Sequence, residues 1–376
     1  MRRFFLKSLL FLSPFLIAVG IELFVLPIDF FTFRVWEALL IKKIHSILPG
    51  HFYPRMEVTK LEISGDLAHR TSFGIPKKVK WVTDRYGFRK KDCEGMKPQV
   101  VIIGDSNIAG IGLTQEQMLS EVLEERLRVP VYPYAPAGSI NAFLKDLRFK
   151  KDPPQLVIVS YIERDIVNIP FPKLSQRRER FRSFYEWRDK LTQIRLVQSV
   201  GVTLDRLFKM NMLNYVRAKL GNQALKDYHH FPSKFGPMLF VQGEAANEEV
   251  PYEQFRKAVE TIAACDQILR RMGIRFIFLP IPNKENIYHD FLPDTRRPVF
   301  LEQLIRELKK RNIETVDTQE AFEEEYRKNS ALLFFLDDSH WNPRGVRLAA
   351  GRAVKLIEGK GRRIIGSSAA VFQPFP

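Results

Sequence analysis

Two cysteines, Cys93 and Cys265, are all that the 376 residues contain, which excludes a disulfide framework. The seven histidines do not recur at ligand spacing and the cysteines stand apart, so no metal constellation is legible. There is no P-loop and no Gly-x-Gly-x-x-Gly after a strand, because Gly104, Gly110 and Gly112 miss that spacing. No cofactor is therefore expected. Internal repeats and long low-complexity stretches are also missing. So is any recognisable nucleic-acid-binding module, despite a formal charge of +16: Lys and Arg are spread along the chain, and the densest run, 176–182, reads as a solvated helical face. The charge suits an anionic membrane surface or polymer equally well.

What is present is a folding composition, 45% hydrophobic and 27% charged, in a chain long enough for one large domain with additions. At the amino terminus, Arg2, Arg3 and Lys7 precede an apolar stretch over 8–28 broken only by Glu22. That length spans a bilayer. No small-residue cleavage site follows, so residues 1–33 read as an uncleaved signal anchor. Positive charge before the stretch predicts a single pass with the amino terminus in the cytoplasm and the rest periplasmic or otherwise extracytoplasmic.

Residues 34–92 read as a stem and N-terminal extension with no sustained period; in Trp81–Arg89 the chemistry around Tyr86 and Gly87 is that of a turn, preceded by a short strand. Residues 93–360 read as the main domain and 361–376 as a tail. Within the domain, β-branched apolar runs at 100–103, 129–134, 156–162, 274–280 and 313–316 alternate with helical patterns. Thr114 and Gln117 form a capping box ahead of Met118, Val122, Leu123 and Leu127. Phe255, Val259, Ile262 and Leu269 share one helical face before the fourth run, and Leu301, Leu304 and Leu308 follow it. This alternation predicts an α/β fold: a three-layer, doubly wound parallel sheet. A partly helical insertion at about 170–250 is expected near the carboxyl ends of the strands, where it would help select substrate.

Directly after the first strand comes Gly104-Asp105-Ser106-Asn107, a turn that lifts the Ser106 hydroxyl to the sheet's edge. A serine needs a base to take its proton and donors to stabilise the oxyanion of an attacked acyl group. A base is offered by Asp337-Asp338-Ser339-His340 before the last amphipathic helix. Asp337, three residues before His340, can orient the imidazole across one turn.

These two blocks resemble the SGNH (GDSL-like) hydrolase superfamily, which has Gly-Asp-Ser after the first strand and Asp-x-x-His before the final helix. The resemblance implies an SGNH/flavodoxin-like fold with Ser106 as nucleophile, His340 as base and Asp337 as acid; some membrane-associated relatives use Asp-x-His, which would select Asp338. It also implies an oxyanion hole from the Ser106 N–H and Gly138. Arg164 stands where many members carry the asparagine of Gly-x-Asn-Asp, either as a further oxyanion donor or paired with Glu163 or Asp165. The Glu163-Arg164 pair, together with Pro282, Lys284 and Tyr288, resembles the branch containing alginate and other cell-surface polysaccharide O-acetyltransferases. In that light Lys284 and Tyr288 touch substrate; read alone, they are ordinary loop residues.

The expected activity is that of a membrane-anchored serine O-acyltransferase moving acetyl groups onto a cell-surface glycan or other acyl acceptor. The alternatives are a carbohydrate or lipid esterase, or a membrane-tethered assembly protein without turnover. A transferase outside the membrane needs its acyl group delivered across it, and the resemblance implies a multi-pass partner that exports that group.

Overall fold

A computed structural model describes residues 2–42, 49–69, 71–92, 95, 97–136, 139–173, 182–220, 230–241, 250–292 and 298–359. In chain order the helices are α1 (Arg2–Phe24), α2 (Val35–Leu39), α3 (Leu119–Leu127), α4 (Ile140–Lys145), α5 (Leu147–Lys151), α6 (Glu163–Ile166), α7 (Arg182–Thr192), α8 (Arg195–Lys209), α9 (Asn211–Leu220), α10 (Tyr252–Arg271), α11 (Lys284–Ile287), α12 (Phe300–Lys310), α13 (Thr318–Asn329) and α14 (Pro343–Glu358). The strands are β1 (Glu57–Glu62), β2 (Lys77–Val82), β3 (Val100–Gly104), β4 (Val131–Tyr134), β5 (Leu156–Ser160), β6 (His230–Ser233), β7 (Gly236–Leu239) and β8 (Arg275–Phe278). They fall into two compact units: Met1–Glu62, Lys78–Asp92 and Phe181–Lys226 form one, and Ile63–Lys77, Cys93–Arg180 and Asp227–Pro376 the other.

The second unit is built on a parallel sheet of order β4-β3-β5-β8. Every residue of β3 and β5 is buried, as expected of parallel strands covered on both faces. α10 buries Val259, Ile262 and Leu269, and α12 buries Leu301, Leu304 and Leu308, so these helices turn the apolar faces read from the sequence inward. The run at 313–316 is a correction: it contributes only a parallel bridge from Thr315 to Phe278, because Asp317 at once accepts the Glu320 N–H and starts α13. Thr114 and Gln117 head a single 3-10 turn, and the helix proper begins at Leu119. The sequence β3, β4, β5 changes direction across the sheet between β3 and β5, and at such a switch point the strand ends leave a crevice.

The first unit contains α1, whose segment Leu6–Phe24 is long and apolar enough to cross a membrane (mean hydropathy 1.8). It also contains the β1–β2 pair and the turn after β2, where Asp84 accepts the N–H groups of Tyr86 and Phe88 around Gly87 at φ +82°. The insertion helices α7 to α9 group with this unit, whereas β6 and β7 group with the sheet. The stem is divided as well, since residues 63–77 belong to the sheet unit.

Candidate active site

Ser106 stands directly beyond β3, at the switch point. Gly104 is required there, because a Cβ would overlap the Ile108 side chain and the Ser160 carbonyl of the neighbouring strand. Asp105 secures the turn from two sides: Oδ1 accepts the Asn107 N–H at 2.8 Å and Oδ2 the Ile162 N–H, beyond β5, at 2.7 Å. This leaves Ser106 half-buried with its hydroxyl at the sheet's edge.

His340 is delivered by a tight loop. The Phe335 N–H donates to the His340 carbonyl, Phe334 bridges Trp341, and Asn342 caps α14 by accepting from Arg344 and Gly345 N–H, with Pro343 in the first turn. His340 Nε2 lies 2.8 Å from Ser106 Oγ, and Nδ1 lies 2.6 Å from Asp338 Oδ1. With the Nδ1 proton directed at the carboxylate, the Nε2 lone pair is free to accept the serine proton.

Asp338, not Asp337, is thus the acid beside His340. Asp338 Oδ1 also accepts the His340 N–H, and Oδ2 accepts the Asp66 N–H at 3.1 Å. The Asp337 carboxylate turns away from the histidine: Oδ2 accepts the N–H groups of Gly65 at 2.7 Å and Ile75 at 2.8 Å. Lys77 Nζ lies 3.7 Å from Asp337 and 3.6 Å from Asp338, and 3.9 Å from the centre of the Phe335 ring, so one ammonium offsets both buried carboxylates.

Sequence reasoning missed Asp66, Gly65 and Lys77. Asp66 accepts from the Ser339 N–H at 2.7 Å and Oγ at 2.5 Å, and its Oδ2 comes within 3.6 Å of His340 Nδ1. Burial and the Asp338 charge push the Asp66 carboxyl above its ordinary range, while His340 pulls it back. One donor atom each from Asp66, Asp338 and His340 falls within 4.8 Å, close enough to hold an ion, but the Nδ1–Oδ1 hydrogen bond already engages two of the three groups. The only local hint of a role for this segment was its Asp and Gly content.

Lys284 and Tyr288, expected to touch substrate, are a correction. Lys284 is 2% exposed, and its Nζ donates to the carbonyls of Leu239 (2.7 Å), Phe335 (2.6 Å), Leu336 (2.9 Å) and Asp338 (3.2 Å). Burial pulls its ammonium down to about 8 against the neighbouring carboxylates. It staples the loop that carries Asp338. Tyr288 is fully buried; its hydroxyl donates to the Ala331 carbonyl and accepts the Leu333 N–H. Arg164 sits in α6 with its N–H on Asn283 Oδ1 at 3.4 Å; burial pushes the carboxyls of Asp165 and Glu285 above their ordinary range, and the Arg164 charge pulls both part of the way back. Gly138, Cys93 and the tail at 361–376 lie outside the described residues. Cys265 is buried in α10, which pushes its thiol up to about 12.

A strand-end serine on a carboxylate-held histidine, carried by a doubly wound sheet, marks the class of sites that carry out acyl transfer through a serine nucleophile. Within that class, residues 239–373 match the family model of the SGNH hydrolase-like domain of the acetyltransferase AlgX. The matched segment contains Asp338 and His340 but not Ser106, and the fold brings the two blocks together. No curated protein matches the sequence. Similar solved structures include a G-D-S-L family lipolytic protein from Desulfitobacterium hafniense (14% identity, 68% of this chain and 98% of that chain, TM-score 0.34), the acetyl xylan esterase AlAXEase (15%, 69% and 98%, 0.33) and a GDSL-like lipase from Bacteroides thetaiotaomicron (12%, 70% and 89%, 0.32).

Proposed function

We propose that the chain is a membrane-anchored serine O-acetyltransferase that acts outside the cytoplasmic membrane on a surface glycan. The observation that carries the chemistry is the Ser106–His340–Asp338 relay, at 2.8 and 2.6 Å. In the first step Ser106 Oγ bonds to the acyl carbon as its proton passes to His340 Nε2, and His340 returns that proton to the departing group. In the second, an acceptor hydroxyl gives its proton to His340 Nε2 as its oxygen bonds to the acyl carbon; the bond from that carbon to Ser106 Oγ breaks, and His340 passes the proton to Oγ, restoring the enzyme. Asp338 holds the imidazole and stabilises its charged form in both steps. The Ser106 N–H is one oxyanion donor, with Gly138 and Arg164 proposed beside it.

The match to the domain of the acetyltransferase AlgX supports transfer of an acetyl group, and the sugar hydroxyl as acceptor is what the resemblance of Glu163, Arg164 and Pro282 to the polysaccharide-acetylating branch implies. The apolar α1, preceded by basic residues, supports an anchor with the domain outside, and the acyl group would then be delivered by a multi-pass exporting partner. Full-length protein in detergent, given a chromogenic acetyl ester with and without candidate oligosaccharides, tests the reading. Acetylated sugar formed by the wild type and not by Ser106→Ala supports transfer. Free acetate alone, with every acceptor offered, makes the protein an esterase.

A further inference from the structure

α8 is amphipathic in the reverse sense to the helices around the sheet. Its polar side chains point into the first unit: Gln198 donates to the carbonyls of Arg85 and Thr192, Asp205 accepts from the Tyr53 hydroxyl at 2.7 Å, and Lys209 donates to the Ala38 carbonyl at 2.9 Å. All three are buried. The opposite face carries Leu196, Val200, Leu204, Leu207 and Phe208, which are 36 to 72% exposed. Spacings of four, four, three and one residues set these on a single stripe. An apolar face of this size on a described surface calls for an occupant.

Three hydrogen bonds say which. The Arg206 guanidinium donates to the carbonyls of Glu22 (2.6 Å) and Leu23 (2.9 Å), in the last turn of α1, and the Met212 N–H at the start of α9 donates to the Glu22 carboxylate at 3.2 Å. α8 and α9 therefore meet α1 where its apolar segment ends, the level at which a spanning helix leaves the hydrocarbon. α1 itself is almost wholly unburied over that segment. α9 continues the outward apolar character with Leu213 and Val216, and Trp187 and Tyr215 are exposed nearby, residue types that favour the headgroup level. Arg195, Arg217 and Lys219 are exposed at the flanks, matching an anionic surface.

We infer that α8 and α9 lie in the boundary between headgroups and acyl chains of an anionic bilayer, with the outward stripe of α8 against lipid. The inference rests on the anchor reading of α1. It makes the insertion a membrane-seated element, so that the first unit is fastened by a surface as well as by one helix.

The test uses the full-length protein with Cys93→Ser, since Cys265 is buried, reconstituted without any other protein in phosphatidylethanolamine–phosphatidylglycerol vesicles. An environment-sensitive fluorophore is placed singly at Val200→Cys, Phe208→Cys, Leu12→Cys in α1 and Glu260→Cys on α10, and lipid nitroxides are added at shallow or deep acyl positions. The expected result is loss of roughly half the emission at positions 200 and 208 with the shallow nitroxide, less with the deep one, and none at 260. Quenching at Leu12 with silence at 200 and 208 would overturn the inference while leaving the anchor intact, and would hand the stripe to a protein partner. Silence at Leu12 as well would remove the anchor and the inference together.

Discussion

The two halves of the site are built by different means. The Ser106 turn is local: Gly104 fits against β5, Asp105 bonds two residues onward and across to the end of β5, and the strand's own burial supplies the rest. The Asp337–His340 loop is held from far along the chain, by Gly65, Asp66, Ile75 and Lys77 on one side and Lys284 on the other. The nucleophile's geometry thus depends on adjacent strands and on two neighbouring residues, Gly104 and Asp105, that fit the turn to β5, whereas the base's geometry depends on several side chains and N–H groups remote in sequence. Damage to the first half should appear as lost chemistry in a stable protein, and damage to the second should also cost stability.

The sharpest test of this division separates the two adjacent aspartates. Asp338→Asn should lower kcat roughly a thousand- to ten-thousand-fold, because an amide cannot hold the productive imidazole tautomer. Asp337→Asn should keep activity within about tenfold and instead destabilise the fold by about 1–3 kcal/mol through its buried N–H partners, read by denaturant unfolding. The reverse ranking would make Asp337 the acid.

Next in size, Lys284→Met should destabilise the protein by about 3 kcal/mol, since it leaves several buried carbonyls without a donor. KM for a small acetyl ester should move little in the folded fraction. A raised KM at unchanged Tm would restore Lys284 as a substrate contact. Tyr288→Phe is expected to cost only about 1 kcal/mol, with KM unchanged.

The smallest expected effect is a slope. Asp66 is raised in the fold above its ordinary value of 3.8, so in the window just above that value the folded state holds a proton that the unfolded chain has lost. Stability therefore falls as pH rises through the window, and the loss is complete once pH passes the raised value. Asp66→Asn should flatten that fall relative to wild type in paired denaturation series across acidic pH. Parallel curves would mean that the Asp66 carboxyl titrates normally.

The same division explains what the sequence made legible. The four strands of the sheet, the inward faces of α10 and α12, and Ser106 with His340 all follow from periodicity and from two short blocks. The choice between Asp337 and Asp338 does not, because both reach His340 within one turn and the decision is made by the N–H groups of Gly65 and Ile75. Lys284 looked like a surface loop residue because the carbonyls that bury it lie 45 to 54 residues away. α8 carries the starkest lesson: its period is as plain as that of α12, yet one helix buries leucines and the other buries Gln198, Asp205 and Lys209. A period defines a face without saying which medium the face meets.

In this mechanism Ser106 itself carries the acyl group between the two steps. Full-length protein mixed with a chromogenic acetyl ester, quenched in acid within the first turnover and digested for mass spectrometry, tests it directly. A burst approaching one chromophore per enzyme and an acetyl group on the peptide containing Ser106 are expected, both absent from Ser106→Ala. A burst that survives in Ser106→Ala, or an acetyl group found on a different side chain, would contradict it.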